Sequence, residues 1–139
     1  MKVLLDTNVA LDQILRREPF FEAAKKIVES SLQGRFTALV SASTVTDIYY
    51  IACTMLKDKV LVMARLEALL KTVDIAAVSG AEVHRAIGLK WADFEDAVQF
   101  TAGERLAVRF VITRDAEGFA ASPIPVVSPE RFLDMITVD

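Results

Sequence analysis

An α/β fold, with a mainly parallel sheet covered on both faces, is predicted by three features of this sequence. Five short apolar segments have strand character, at 2–5, 37–40, 73–77, 109–113 and 124–127. One or two helix-patterned segments separate each of the first four, and strands joined by crossover helices line up in parallel. The 139 residues, 53% of them hydrophobic, suffice for one domain with a proper core.

Each element has a local reason. Lys2 to Leu5 is a short apolar run ending at Asp6, and Thr7 or Asn8 can cap a helix from Val9 to about Arg16. Pro19 suits the first turn of a second helix, to about Ser31, whose apolar face is Phe20, Ala23, Ala24, Ile27 and Val28. Thr37 to Val40 is strongly β-branched. Ser41-Ala-Ser-Thr is rich in caps and opens a long helix from Thr44 to Leu56. Another helix runs from Leu61 to Leu70, with Leu61, Ala64, Leu66, Leu69 and Leu70 inward. After the third strand, Ser79 caps a helix closed by Gly88, and Asp93 opens one through Ala107. Pro125 suggests that the fifth strand is an edge, and Ser128-Pro129-Glu130 starts a terminal helix.

Composition removes several function classes. The net charge of −3 speaks against a pure nucleic-acid-binding module, since phosphate neutralisation needs a basic excess. No uncharged apolar run is long enough for a membrane span, and Asp6 falls where a signal peptide would be apolar, so the cytoplasm is the expected compartment. The single cysteine, Cys53, allows no internal disulfide or paired-cysteine motif and is expected in the core. Phosphate-binding loops, the dinucleotide glycine fingerprint and the hydrolase nucleophile elbow are all missing. His84, the only histidine, has no catalytic partner nearby in sequence and reads as a surface or structural residue.

Carboxylates carry the chemistry that remains. Asp6 ends the first strand, Asp47 lies early in the helix after the second, Asp93 and Asp96 open the helix before the fourth, and Asp115 follows the fourth. Each has a plain alternative: Asp47 in a capping box with Thr44, Asp93 as a cap, Asp96 at a positive helix end, Asp115 in a turn. Asp6 is harder to dismiss, because a carboxylate directly after Val-Leu-Leu is costly to bury unless something meets its charge. Asp93 and Asp96 share a helical face, and neighbouring first and fourth strands would bring Asp6 and Asp115 together. Such acids repel one another unless a cation compensates, and an all-oxygen donor set selects a hard ion, Mg²⁺ or Mn²⁺. An ion of that kind orients a phosphate ester and assists attack by water, so phosphodiester hydrolysis is the natural reaction.

These residues resemble those of the PIN-domain ribonucleases, including the toxin subunits of VapBC-type toxin–antitoxin pairs. Leu4-Leu-Asp-Thr-Asn-Val9 is similar to the first motif of the family, and Val40 to Ile51 resembles the second, with Asp47 in place of its usual glutamate. Asp93-Phe-Glu-Asp-Ala-Val-Gln99 resembles the third, and Val111-Ile-Thr-Arg-Asp115 followed by Phe119 the fourth. The resemblance implies a three-layer α/β/α sandwich with a central, mainly parallel five-stranded sheet. It also implies a homodimer, a Mg²⁺- or Mn²⁺-dependent endoribonuclease acting on RNA, and a cognate antitoxin. Asp6, Asp96 and Asp115 would hold the ion, with Asp47 and Asp93 as further acids and Thr7, Asn8 and Thr113 in support. Arg114 and Lys90 are candidate phosphate contacts, and Arg16, Arg17, Lys25 and Lys26 the candidate basic patch for RNA. Tyr49 and Tyr50 are candidates for the dimer face.

One position departs from the family pattern. Gly118 stands where a second acid often precedes the phenylalanine, with Glu117 one residue earlier. The alternative reading is therefore a PIN-like module that binds RNA or protein with weak or no catalysis. A haloacid-dehalogenase-type phosphatase would need a second aspartate where Asn8 stands. A receiver-type phosphoacceptor would need an aspartate in Ala77-Val-Ser-Gly80.

Overall fold

The computed structural model describes residues 1–137. Five strands form one sheet: β1 (Lys2–Leu5), β2 (Thr37–Ser41), β3 (Asp74–Ala76), β4 (Phe110–Ile112) and β5 (Val126–Val127). Their spatial order is β3-β2-β1-β4-β5 and every pairing is parallel. Seven α-helices accompany them among the described residues: α1 (Thr7–Leu15), α2 (Phe21–Leu32), α3 (Ala42–Leu56), α4 (Lys59–Leu70), α5 (Gly80–Leu89), α6 (Phe94–Arg105) and α7 (Pro129–Thr137). A single 3-10 turn, Ala116–Phe119, follows β4.

The strand alternation sorts the layers. Val3, Leu5, Ala38, Val40 and Ile112 face one side and pack with side chains of α1, α2, α3, α4 and α7. Leu4, Leu39 and Val111 face the other, against Phe100 of α6, Val108 and Phe119. Both faces of the central strands are covered, which is why they read as near-continuous apolar runs. The predicted three-layer α/β/α arrangement and five-stranded sheet are what forms.

The strand order fixes the site's location. From β1 the chain steps through β2 to β3 on one side, then returns to place β4 and β5 on the other. The order reverses between β1 and β4, and in open α/β sheets the crevice at that switch point, beyond the carboxyl ends of the strands, is where ligands bind. Leu5 is in register with Ile112, and the Asp6 amide donates to the Ile112 carbonyl at 2.9 Å. Asp6 and Thr113 therefore leave the sheet side by side.

Several local expectations are corrected. Asp6 itself caps α1, ahead of Thr7 and Asn8, accepting from the Thr7 amide at 2.7 Å. Pro19 lies before α2 rather than in its first turn. Ser41 caps α3 by accepting from the Thr44 amide, so Asp47 lies beyond the first turn with no capping role. α5 runs through Gly88 and stops at Lys90, which takes the left-handed conformation. On α4 the buried residues are Val62, Leu66 and Leu69, whereas Leu61 and Ala64 point outward. That helix is apolar on nearly all sides, so periodicity could not choose its inner face. β5, with Pro125 just before it, is an edge strand as expected.

Candidate active site

Two helix N-termini and two strand ends meet at the switch point. Asp6 is 6% exposed and accepts three hydrogen bonds: from the Thr7 amide, from Gln99 Nε2 at 2.9 Å and from Thr113 Oγ1 at 2.7 Å. Burial nevertheless pushes its carboxyl above the ordinary value, the three donors offsetting only part of that cost. Asp93 caps α6 by accepting from the Asp96 amide at 3.0 Å, so the plain reading of Asp93 holds for one of its oxygens. Asp96, in the first turn of α6, is half-buried, and its carboxyl is pushed up to about 7. Desolvation is the largest cause, followed by the charges of Asp6, Asp93, Asp115 and Glu95. Asp115 is exposed at the mouth, its amide donating to Thr113 Oγ1 at 3.0 Å.

The chain thus brings Asp6, Asp93, Asp96 and Asp115 into one electrostatic neighbourhood. Asp47 stands at its rim. Burial raises its pKa, and its charge is the leading reason that Glu95, on the first turn of α6, is raised too. Among the described residues no ion pair reaches Asp6, Asp47, Asp93, Asp96 or Asp115. The contrast with Asp12 is instructive: that carboxylate, 1% exposed, is met by two arginines. The N-terminal ends of α1 and α6 supply only partial positive charge toward the acids.

Gln99 and Gly118 complete the geometry, and sequence reading assigned neither a structural role. Gln99 is 3% exposed, and its Nε2 donates to Asp6 Oδ1 and, at 3.3 Å, to Asp96 Oδ1. One amide thereby holds two like-charged groups together. Its own Oε1 is buried without a partner, an unsatisfied acceptor inside the site. The signal was present, since Gln99 follows Asp96 by three residues and shares its helical face. A Cβ at Gly118 would lie 1.9 Å from Asp96 Oδ2, so Asp96 itself fills the space of the missing side chain. Gly118→Ala is therefore expected to keep the fold, displace the Asp96 carboxylate and weaken Mn²⁺ binding by about tenfold, read by titration. Unchanged affinity would mean that Asp96 does not hold an ion from this position.

Two clefts border the start of α6. One, of about 560 Å³, is lined by Lys90, Trp91, Asp93, Asp115, Glu117 and Gly118 among others. The other, of about 360 Å³, is lined by Asp47, Phe94, Glu95 and Gln99 with neighbours from α3 and α5. Trp91 serves as both anchor and rim, stacked on Phe100 with ring centroids 4.9 Å apart and edge-on to Phe119. Lys90 stays exposed on the first cleft, as a phosphate contact requires. Arg114 does not serve that way: it is bound to Asp12, as is Arg17 of the candidate basic patch. Lys25 pairs with Glu29, leaving Arg16 and Lys26 exposed in that patch. Of the two candidate supporting residues, the Thr7 hydroxyl lies against the Thr44 hydroxyl and Asn8 donates to Thr113 Oγ1. His84 is on the surface and Cys53 packs against the core.

The donor set fits a hard divalent ion: oxygen only, several carboxylates, and no protein cation to balance them. As they stand, no three acidic, histidine or cysteine side chains among the described residues lie at ligand spacing around one point.

Comparison with known proteins agrees with this fold. A sequence profile described as the PIN domain matches residues 2–117. The curated protein Ribonuclease VapC1 of Aquifex aeolicus is 25% identical over 138 residues, spanning 96% of this chain and 94% of its own. VapC20 of Mycobacterium tuberculosis, described as a sarcin-ricin loop cleaving toxin, superposes with a TM-score of 0.71 at 13% identity, covering 86% of this chain and 95% of that one. A toxin–antitoxin complex from Klebsiella pneumoniae contains a chain with a TM-score of 0.68 at 22% identity, covering 91% and 97% respectively. The chain belongs to the PIN domain family, where the relatives it resembles include VapC ribonucleases and toxins.

Proposed function

We propose that this protein is a divalent-metal-dependent endoribonuclease, the toxin of a toxin–antitoxin pair, acting on RNA phosphodiester bonds in the cytoplasm. The observation that carries the reading is the set of carboxylates, Asp6, Asp93, Asp96 and Asp115, gathered without a protein cation at the sheet's switch point. Bound there, Mg²⁺ or Mn²⁺ would supply charge neutralisation at the phosphate and activation of water.

The chain's own residues do the rest. Asp6, Asp96 and Asp115 would hold the ion, with Asp93 beside them and Asp47 at the rim. Gln99 sets the spacing of Asp6 and Asp96, and the Thr113 hydroxyl orients Asp6 Oδ2. Lys90 offers the substrate phosphate a positive charge on the cleft wall, and water is the nucleophile, with no covalent intermediate. Purified protein is expected to cleave RNA when Mg²⁺ or Mn²⁺ is added and to stop when the ion is chelated. Cleavage that persists in chelator would reject the mechanism. The second reading, a weakly catalytic PIN-like binding module, is favoured by the present spacing of the acids; RNA binding without metal-stimulated cleavage would establish it.

The relatives found in toxin–antitoxin complexes support an antitoxin partner. A homodimer is supported by the outer faces of α3 and α4, which expose Tyr50, Ile51, Met55, Val60, Leu61 and Met63. Tyr49 is half-buried against the core, so of the two tyrosines Tyr50 is the more available to a partner. Met55→Glu changes an exposed side chain one helical turn from Ile51. It is expected to turn a dimer into a monomer of unchanged fold, measured by light scattering on a sizing column. No helix among the described residues is long and apolar enough to cross a membrane.

A further inference from the structure

Asp12 lies outside the carboxylate cluster, yet it is among the most deeply buried charged groups described, at 1% exposure. It accepts from Arg114 Nε at 2.6 Å and Nη2 at 3.1 Å, and from Arg17 Nε at 2.9 Å. These two arginines differ in what they connect. Arg17 follows α1 by two residues, and its Nη2 also reaches the Asn8 carbonyl of the same helix, so its pairing is local. Arg114 is 102 residues away in sequence and sits in the turn leaving β4, between Thr113 and Asp115.

We propose that Asp12 is a positioning residue, holding the Thr113-Arg114-Asp115 turn in place through the Arg114 guanidinium; this rests on the metal-nuclease reading above. The turn is gripped at several points from α1. Asn8 Oδ1 accepts from the Arg114 amide at 3.4 Å, and Asn8 Nδ2 donates to Thr113 Oγ1 at 3.2 Å. One helical turn further along the same face, Asp12 takes the guanidinium with both oxygens. Phe20 supports that guanidinium, whose carbon lies 3.8 Å from the ring centroid. Thr113 then turns its hydroxyl to Asp6 and accepts from the Asp115 amide. The buried ion pair thus connects, through one residue of backbone on either side, to two functional side chains. A forked, two-point contact fixes the orientation of Arg114 as a lysine's point charge cannot.

Removing Asp12 would strand two guanidinium groups and endanger the fold, so the test goes through its partners. Arg114→Lys and Arg17→Lys each keep a positive charge beside Asp12. Three measurements are made: thermal midpoint, amide hydrogen exchange in the peptide spanning residues 113–116, and Mn²⁺ affinity. Positioning predicts that Arg114→Lys speeds exchange in that peptide by about tenfold and weakens Mn²⁺ binding by roughly tenfold. Arg17→Lys should leave both within about twofold of the original protein. Equal behaviour of the two variants, or unchanged exchange in Arg114→Lys, would reduce the ion pair to ordinary structural support and overturn the proposal. Absence of Mn²⁺ binding in the unsubstituted protein would instead reject the metal-nuclease reading, while the exchange comparison would still decide whether Asp12 holds the turn.

Discussion

Asp6→Asn is expected to abolish RNA cleavage while leaving the metal-free protein as stable as before, or more so. The two effects have one cause. Burial raises the Asp6 carboxyl pKa in spite of three donors, so its negative charge is a cost to the folded chain. The amide removes the charge and keeps an oxygen for the Thr7 amide and Gln99. Its nitrogen then faces Thr113 Oγ1, which already accepts from Asn8 and from the Asp115 amide, and that mismatch offsets part of the gain. For catalysis nothing offsets the loss, because a neutral amide is a far weaker ligand for a hard cation. A loss of about 4 kcal/mol of transition-state stabilisation corresponds to a rate roughly a thousandfold lower. Cleavage assays give the first effect. Thermal melts with and without Mn²⁺ give the second, and the ion-induced rise in midpoint should disappear in the variant. A rate within about tenfold of the original would remove Asp6 from the chemistry.

The sequence exposed the acids more readily than the groups that arrange them. Asp6, Asp96 and Asp115 were legible because strand ends and helix starts in a parallel sheet share one edge, and the covered sheet faces make β1, β2 and β4 plain apolar runs. Asp47 and Asp93 are legible as acids near those ends as well, although which acid caps a helix is decided by a single hydrogen bond. Asp93 does so, whereas Asp47 gives way to Ser41. Long-range pairing was not legible. Arg114 beside Asp115 reads naturally as a phosphate contact, and its side chain instead crosses to α1, where Asp12 is buried. Nothing local marks Asp12 as different from a surface aspartate on an amphipathic helix. Gly118 was noticed as a missing acid, but its physical meaning needs Asp96, whose Oδ2 occupies that very space. The inner face of α4 was misjudged for a related reason: a helix apolar on opposite sides holds no phase information, and only the exposed side carries the proposed partner contact.

Metal-free protein should lose stability as pH rises from about 4 to about 7, the reverse of what salt-bridged carboxylates produce. Asp96 has an ordinary value of 3.8 and a folded value of about 7, raised first by desolvation and then by Asp6, Asp93, Asp115 and Glu95. Across that window the folded chain binds more protons at this site than the unfolded chain does, so each step up in pH favours unfolding. Below the window both states are protonated and the penalty is absent; above it the penalty is complete. Asp6 is raised in the same direction and shares Gln99 with Asp96, so its effect on stability has the same sign. Glu104 runs the other way: its hydrogen bond from Arg85 lowers its pKa, and that stability is lost only as pH falls through the acid range. A divalent ion held as proposed would invert the neutral-pH trend, because it would bind the deprotonated carboxylates and release protons. Mn²⁺ affinity should therefore climb between about pH 5 and 7 and level off above, and saturating ion should flatten or reverse the decline in thermal midpoint. Asp96→Asn removes the titrating group. It should abolish most of the metal-free slope, leaving a shallower one from Asp6, and raise the midpoint at pH 7.5 without ion. A metal-free midpoint that rises steadily from pH 5 to 7, or one whose slope is the same in Asp96→Asn, would show that the charge of the cluster is already neutralised and would remove the case for a divalent ion there.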